Sequence, residues 1–256
     1  MDDPTTLIRE LSIPLTPIAT GLEPILPTLP GIRCVAFDVY GTLLISERQS
    51  GAKAMARLRQ IYQLAAPAAS LDDLISREHC LLKAAGIEFP EVEIRDLWRE
   101  LYPDHDAGLL ALHYELLSHR VWPMPGLKLP DRMPVALVSN AQFYTPLILQ
   151  TLMPLPLDPE LSIYSYEHRQ AKPGAFLFEK LADSLRRRDI SPHEVMFVGN
   201  DHRKDIAPAK EAGFRTVLFA GDSRSLVHLP SSCPPDAIIT HLSQLSSLLE
   251  VSSLNP

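Results

Sequence analysis

Glycine is scarce in this chain, 11 residues in 256 against 24 prolines. That ratio excludes a collagen-like repeat, which needs glycine at every third position, and a flexible glycine–serine polymer. Cysteine is scarcer still. Cys34, Cys80 and Cys233 are odd in number and far apart, so they make neither a disulfide framework nor a metal-spaced pair. Three buried apolar thiols in a reducing, cytoplasmic setting are the simpler expectation. Basic charge is also short: 24 Lys and Arg stand against 31 Asp and Glu, a formal net charge of −7. Without a basic block nothing offsets the phosphates of nucleic acid, which is therefore not an expected partner. No uninterrupted apolar run approaches the length of a bilayer span, and the acidic start Met1-Asp2-Asp3-Pro4 is unlike a signal peptide, so no membrane partner is expected.

What is present is 46% hydrophobic and 21% charged residues, a balance that favours a packed core over a disordered chain. The length suits one large domain or a core with an inserted second domain. Six of the prolines, Pro4, Pro14, Pro17, Pro24, Pro27 and Pro30, fall within residues 1–30. Each fixes φ and lacks an amide donor, which rules out a long helix or a central strand there. Residues 1–30 read as an extended arm, with Leu and Ile between the prolines as anchors.

From Arg33 onward the pattern changes. Cys34-Val35-Ala36-Phe37-Asp38 is a short apolar run ending in a carboxylate, as a parallel strand buried on both faces would be. Runs at Val135–Val138, Leu161–Tyr164, Val195–Val198 and Thr216–Phe219 resemble it, and Asp236–Thr240 reads as a last strand. Helical spacing or composition lies between them at 145–153, 174–187 and 206–212, and again at 242–251. This alternation predicts an α/β fold, a Rossmann-like parallel sheet. Residues 47–122 interrupt it. They are rich in Ala, Leu, Arg, Glu and Gln, with apolar residues three and four apart, and predict three or four helices broken near Pro67, Gly86–Pro90 and Pro103. The expected layout is an arm at 1–30, a core at 31–46 and 123–256, and an inserted helical cap at 47–122 over the strand ends, where open α/β sheets bind ligands.

Polar residues gather at those ends. Asp38 follows the first strand, Ser139 and Asn140 the second, Lys172 the third, and Asp201 with Asp205 the fourth. The set offers a carboxylate nucleophile, small donors for oxyanions, a cation, and acids that could hold a metal.

Taken together, Asp38-Val39-Tyr40-Gly41-Thr42-Leu43, Val138-Ser139-Asn140, Lys172-Pro173 and Val198-Gly199-Asn200-Asp201 through Asp205 resemble the four motifs of the haloacid dehalogenase (HAD) superfamily. The resemblance covers roughly residues 33–220. It implies an aspartyl-enzyme intermediate on Asp38, kept ionised by Lys172, with Ser139 bonding a substrate oxygen, Asn140 positioning nearby backbone, and Thr42 and Gly41 shaping the turn. It also implies Mg²⁺ held by Asp38, the Tyr40 carbonyl and Asp201 or Asp205, with Asp205 alternatively orienting Lys172 or capping a helix. Asn200 stands where many relatives carry Asp. A small-molecule substrate follows, while oligomeric state is not legible.

Tyr40 departs from the phosphatase pattern, which has a second Asp there as general acid and base. A phenol with a pKa near 10 replaces that carboxyl poorly at pH 7. The 2-haloacid dehalogenase branch carries Tyr at this place, since halide leaves unprotonated. Against that branch, Phe178 stands where it has Tyr, and two acids rather than one occupy the fourth motif. It also needs a cap arginine, for which Arg95 and Arg99 are candidates or simply an exposed helix face. His168, Arg169, His202, Arg203 and Lys204 read either as an anion-binding rim or as loop surface. Three readings follow: a Mg²⁺-dependent hydrolase of a small phosphorylated metabolite, a metal-independent 2-haloacid dehalogenase, or a catalytically weak binding or regulatory protein.

Overall fold

The computed structural model describes residues 3–131, 133–228 and 233–249. Its strands are β1 (Cys34–Phe37), β2 (Leu44–Arg48), β3 (His119–Pro123), β4 (Val135–Ser139), β5 (Ser162–Tyr164), β6 (Val195–Gly199), β7 (Arg215–Phe219) and β8 (Ala237–Ile239). Six of them form one sheet in the order β5-β4-β1-β6-β7-β8, with every neighbouring pair parallel. The apolar runs of the sequence become these strands because both faces are covered. Every residue of β1, β4 and β6 is buried.

Register decides what meets at the edge. Phe37 lies beside Leu137 on one side and Val198 on the other, so β1, β4 and β6 end within two residues of one another in register. Asp38, Asn140 and Asn200 follow these three ends. The order also reverses at β1, since β4 and β6 flank it, and this opens the crevice in which α/β sheets hold ligands.

The helices of the described residues include α1 (Pro4–Leu11), then α2 (Gly51–Tyr62), α3 (Leu71–Ala84), α4 (Ile94–Leu101) and α5 (Ala107–Ser118) in the insert. Those four match the expected three or four, each starting on a side-chain cap: Ser50, Ser70, Glu93 and Asp106 accept from the first-turn amides. Such caps satisfy donors that a helix end leaves open. Fully buried Trp98 fills the middle of the insert, with the rings of Tyr102 and Tyr114 at 6.0 and 5.4 Å. In the core follow α6 (Thr145–Leu152), the short α7 (Ser165–His168), α8 (Phe176–Arg186), α9 (Ala207–Glu211) and α10 (Leu245–Leu248). The expected last helix thus forms only in part, and its end at 250–251 lies outside the described residues.

Two features depart from the sequence reading. The insert is joined to the core by an antiparallel ribbon of β2 and β3, pairing Leu44 with Pro123 through Arg48 with His119. Polar Ser46, Glu47, Arg48, His119 and Arg120 hide it from pattern analysis, because its partners are about 75 residues apart and its stability comes from the pairing. The arm, too, is not all extended. Pro4 at the first helical position and Asp3 as N-cap start α1, a place where proline's missing amide costs nothing. Leu7, Ile8 and Leu29 are buried, whereas Ile13, Ile18, Ile25 and Leu26 are exposed, so only part of the expected anchoring occurs. Ile25 exchanges backbone hydrogen bonds with Ile238 (2.8 and 3.0 Å) and covers the β8 edge.

Among the described residues no helix is long and apolar enough to cross a membrane.

Candidate active site

A carboxylate placed just beyond a buried strand inherits that strand's rigidity. Asp38 leaves β1 with its amide bonded to the Val198 carbonyl at 2.9 Å, and its side chain is almost wholly buried. Oδ1 accepts from the Lys172 Nζ at 2.7 Å and the Ser139 Oγ at 3.1 Å. Oδ2 makes no hydrogen bond with the described residues. One oxygen is pinned, and the other is left for chemistry.

Lys172 spends all three protons: on Asp38, on the Asp205 Oδ1 at 2.6 Å and on the Val138 carbonyl at 3.0 Å. Burial alone would pull its ammonium down, but Asp205 and Asp38 together outweigh burial and hold it above the ordinary lysine range. Burial likewise pushes the Asp205 carboxyl up, with Lys172 opposing. Asn140 holds the lysine's backbone from both sides, accepting from the Lys172 amide at 2.7 Å and donating to its carbonyl at 3.0 Å. Asn140, expected to position nearby backbone, makes this clamp on Lys172. The Ser139 hydroxyl, expected to bond a substrate oxygen, here donates to Asp38.

The turn after β1 needs glycine. Gly41 has φ +89°, and a Cβ there would lie 2.7 Å from the Asn200 amide and the Ser225 side chain. Thr42 Oγ1 donates to Asn200 Oδ1 at 3.1 Å, while Asn200 Nδ2 donates to the Ser225 carbonyl at 2.7 Å. Asn200 therefore ties two loops together. Tyr40 turns its hydroxyl to Thr145 Oγ1 at 3.0 Å. Burial, then the charge of Glu115, push that phenol far above its usual value, so it stays protonated and is no proton shuttle at neutral pH.

The fourth-motif loop forms a π-turn over His202–Ile206. Asp201 caps it, Oδ1 accepting from the Arg203 and Lys204 amides at 2.8 and 3.1 Å. Asp205 is committed on both oxygens, to Lys172 and to the Asp201 amide at 2.9 Å. In this arrangement it orients Lys172, the second of the roles considered for it, and each of its oxygens already accepts a hydrogen bond. Among the implied Mg²⁺ donors, one oxygen each of Asp38 and Asp201 has no hydrogen bond from the described residues, and the Tyr40 carbonyl is the third donor. Among the described residues no three Asp, Glu, His or Cys side chains converge on a metal position. A divalent ion here would rest on two carboxylates, a carbonyl and water, a hard-oxygen set that Mg²⁺ accepts.

These residues enclose a cavity of about 240 Å³ lined by Asp38, Tyr40, Asn140, Lys172, Asn200 and Asp201, together with Lys204, Asp205 and Ser225. A larger apolar hollow of about 560 Å³ runs from Leu127 to Arg188, but it holds none of this chemistry. Of the flanking cations only Lys204 joins the site. Arg169 pairs with Asp96 and Glu78 of the insert at 2.7 and 3.6 Å, and His168 packs on Phe176. Arg95 is held by Glu93 over the Phe143 ring, and Arg99 by Asp96. Neither lines the cavity. Phe178 is buried against Phe197 and Phe214 inside the core.

Sequence reasoning missed a second hollow of about 280 Å³, which Tyr40 and Asn140 also line. Its other walls include Ser46, Glu91, Glu115, His119, Gln142 and Tyr144. Its only linear trace is an acid and a histidine four apart at the end of α5.

A family model described as HAD-hydrolase-like matches residues 170–245, the stretch that carries Lys172, Asp201 and Asp205. Among curated protein sequences none matches the chain. Solved structures do. The 2-haloacid dehalogenase from Pseudomonas syringae pv. Tomato DC3000 superposes with a TM-score of 0.57 at 20% identity, over 85% of this chain and 97% of that one. The L-2-haloacid dehalogenase from Xanthobacter autotrophicus gives 0.52 at 20% identity, over 84% and 96%. A HAD phosphatase from Thermococcus onnurineus gives 0.48 at 21%, over 84% and 96%. Identities this low speak for the fold.

Proposed function

On a haloacid dehalogenase fold whose residues 170–245 match the HAD-hydrolase-like model, we propose that this protein hydrolyses a small phosphorylated metabolite through an aspartyl-enzyme intermediate on Asp38. The observation that carries this reading is the buried Asp38–Lys172–Asp205 chain, with bonds of 2.7 and 2.6 Å. It keeps Asp38 paired with a cation through one oxygen while the other is unengaged, which is how a weak carboxylate nucleophile is held ready. In the first step that oxygen bonds to phosphorus and the ester oxygen departs with the bonding pair. In the second, water attacks phosphorus and Asp38 is released. Lys172 and Lys204 offset the negative charge that gathers in a cavity sized for a phosphoryl group. Mg²⁺, held by Asp38, the Tyr40 carbonyl and Asp201, would supply further positive charge beside that group.

Tyr40 favours a second reading, release of halide from a 2-haloacid, in which no leaving group needs a proton. Opposing it, the lining of the Asp38 cavity contains no arginine to clamp a substrate carboxylate. A panel of phosphate esters and of 2-chloro acids, each with Mg²⁺ or with a chelator, separates the two. Phosphate release abolished by Asp38→Asn is the expected result. Halide release without metal, and no phosphate release, would replace the first reading with the second.

A further inference from the structure

Ester cleavage at Asp38 needs a proton for any leaving group poorer than a phenol, and Tyr40, engaged with Thr145, does not provide it. The neighbouring hollow contains a group that can. His119 opens β3, directly after α5, and its Nδ1 lies 3.3 Å from the Glu115 Oε1. The Tyr144 hydroxyl donates to the other oxygen of Glu115 at 2.9 Å, so the carboxylate is fixed from two sides. His119 Nδ1 also meets the Ser118 Oγ at 3.2 Å, and Nε2 has no hydrogen-bond partner among the described residues. Tyr40 and Asn140 line both this hollow and the nucleophile's cavity. An imidazole held by a carboxylate, and room for a small organic group, thus share two walls with the Asp38 cavity.

We propose that this 280 Å³ hollow receives the alcohol portion of the ester and that His119, positioned by Glu115, is the general acid and base which Tyr40 cannot be. The inference rests on the reading of Asp38 as nucleophile toward phosphate esters. As the Asp38 oxygen bonds to phosphorus and the phosphorus–alkoxy bond breaks, His119 Nε2 gives its proton to the departing oxygen, and an alcohol leaves. The neutral imidazole then takes a proton from the water whose oxygen attacks phosphorus. Phosphate departs, and both Asp38 and His119 return to their starting states.

The charges facing His119 suit this cycle. The hydrogen bond to Glu115 raises the imidazole above its ordinary value, ahead of burial, which lowers it. Arg48, its partner in the ribbon, opposes the proton. Glu91 lies across the hollow, its carboxyl raised by burial. Glu47 is paired with Arg120 farther along the ribbon.

The test compares leaving groups on the full-length enzyme. Wild type and His119→Gln are assayed on p-nitrophenyl phosphate, whose leaving group needs no proton, and on a panel of short alkyl phosphates. The expected result is a fall of about 10²–10⁴-fold in kcat/KM on alkyl esters, with kcat/KM on p-nitrophenyl phosphate, which reports the first step alone, nearly kept. That retained kcat/KM also shows that the variant is folded. Glu115→Gln should move the alkaline limb of the alkyl-ester pH profile to lower pH, because the imidazole loses the partner that holds its proton. Equal losses on both ester types, no loss on either, an unmoved limb, or a wild type inert toward alkyl phosphates overturns the assignment of His119 while leaving Asp38 as nucleophile. A wild type inert toward both ester types removes the phosphate reading and this inference together.

Discussion

At the scale of single residues, the site is governed by one ammonium between two buried carboxylates. Lys172 carries the positive charge that makes burying both Asp38 and Asp205 tolerable. Removing one partner of such a cluster leaves uncompensated charge in a poor solvent. Lys172→Met should therefore abolish turnover and cost about 3–5 kcal/mol of stability near neutral pH, measured by urea unfolding. The pH dependence follows from the directions of the shifts. The Lys172 pKa is raised on folding, so its stabilising contribution is complete below the ordinary lysine value and fades as pH climbs through the higher folded one. Without Lys172, stability should instead recover as pH falls and the stranded carboxyls take up protons. A variant as stable as wild type at neutral pH would contradict the ion-paired cluster. Gly199 belongs to the same arrangement, since a Cβ there would sit 2.4 Å from the Asp205 Cβ. At this scale the sequence was informative: Asp38, Ser139, Asn140, Lys172, Asp201 and Asp205 all end buried strands or lie in the loops beyond them. His119 was not legible, because an exposed-looking His-Arg pair after a helix carries no signal until the ribbon places it.

At the scale of elements, backbone pairing joins the insert to the core at two places among the described residues. One is the β2–β3 ribbon. The other is the contact between residues 89–91 and the loop before Lys172, where the Glu91 amide bonds the Arg169 carbonyl at 3.1 Å and the Ala171 amide the Phe89 carbonyl at 2.8 Å. Arg169, with φ +55°, turns there and reaches Asp96 and Glu78. Partly exposed pairs of this kind contribute little to global stability, so their effect should be local. Arg169→Ala is expected to speed hydrogen exchange at the Glu91 and Ala171 amides and leave β1 unchanged. Unchanged exchange at both would show that the ion pairs do not fasten the insert. Helices α2 to α5 were readable from spacing and from caps such as Ser70, which act within one turn. The ribbon was not, because its strands find each other only after the four helices have folded back.

At the scale of the whole molecule, the proline-rich arm is part of the fold. It buries Leu7, Ile8 and Leu29, worth about 1.5–3 kcal/mol each, and it pairs with β8 through Ile25. Deleting residues 1–30 should lower the melting temperature and expose the β8 edge, which then invites association with other chains. Thermal unfolding and size-exclusion chromatography at several concentrations read the two effects. A deletion variant of unchanged stability and size would make the arm dispensable.

The scarcity of glycine only excluded repeats and flexible polymers; the short apolar runs, alternating with helical segments, determined on their own a buried parallel sheet and the polar residues that follow its strands. Local forces suffice for that, since strand burial and helix caps are written in neighbouring residues. Only the tertiary structure decided that Asp205 bonds Lys172, that Ser139 faces Asp38, and that Arg95 and Arg99 stay outside the Asp38 cavity. It also decided that Glu115 and His119 share a hollow with Tyr40. These are matters of a few tenths of a nanometre between residues tens of positions apart, set by strand register and by the docking of the insert. No local pattern encodes them.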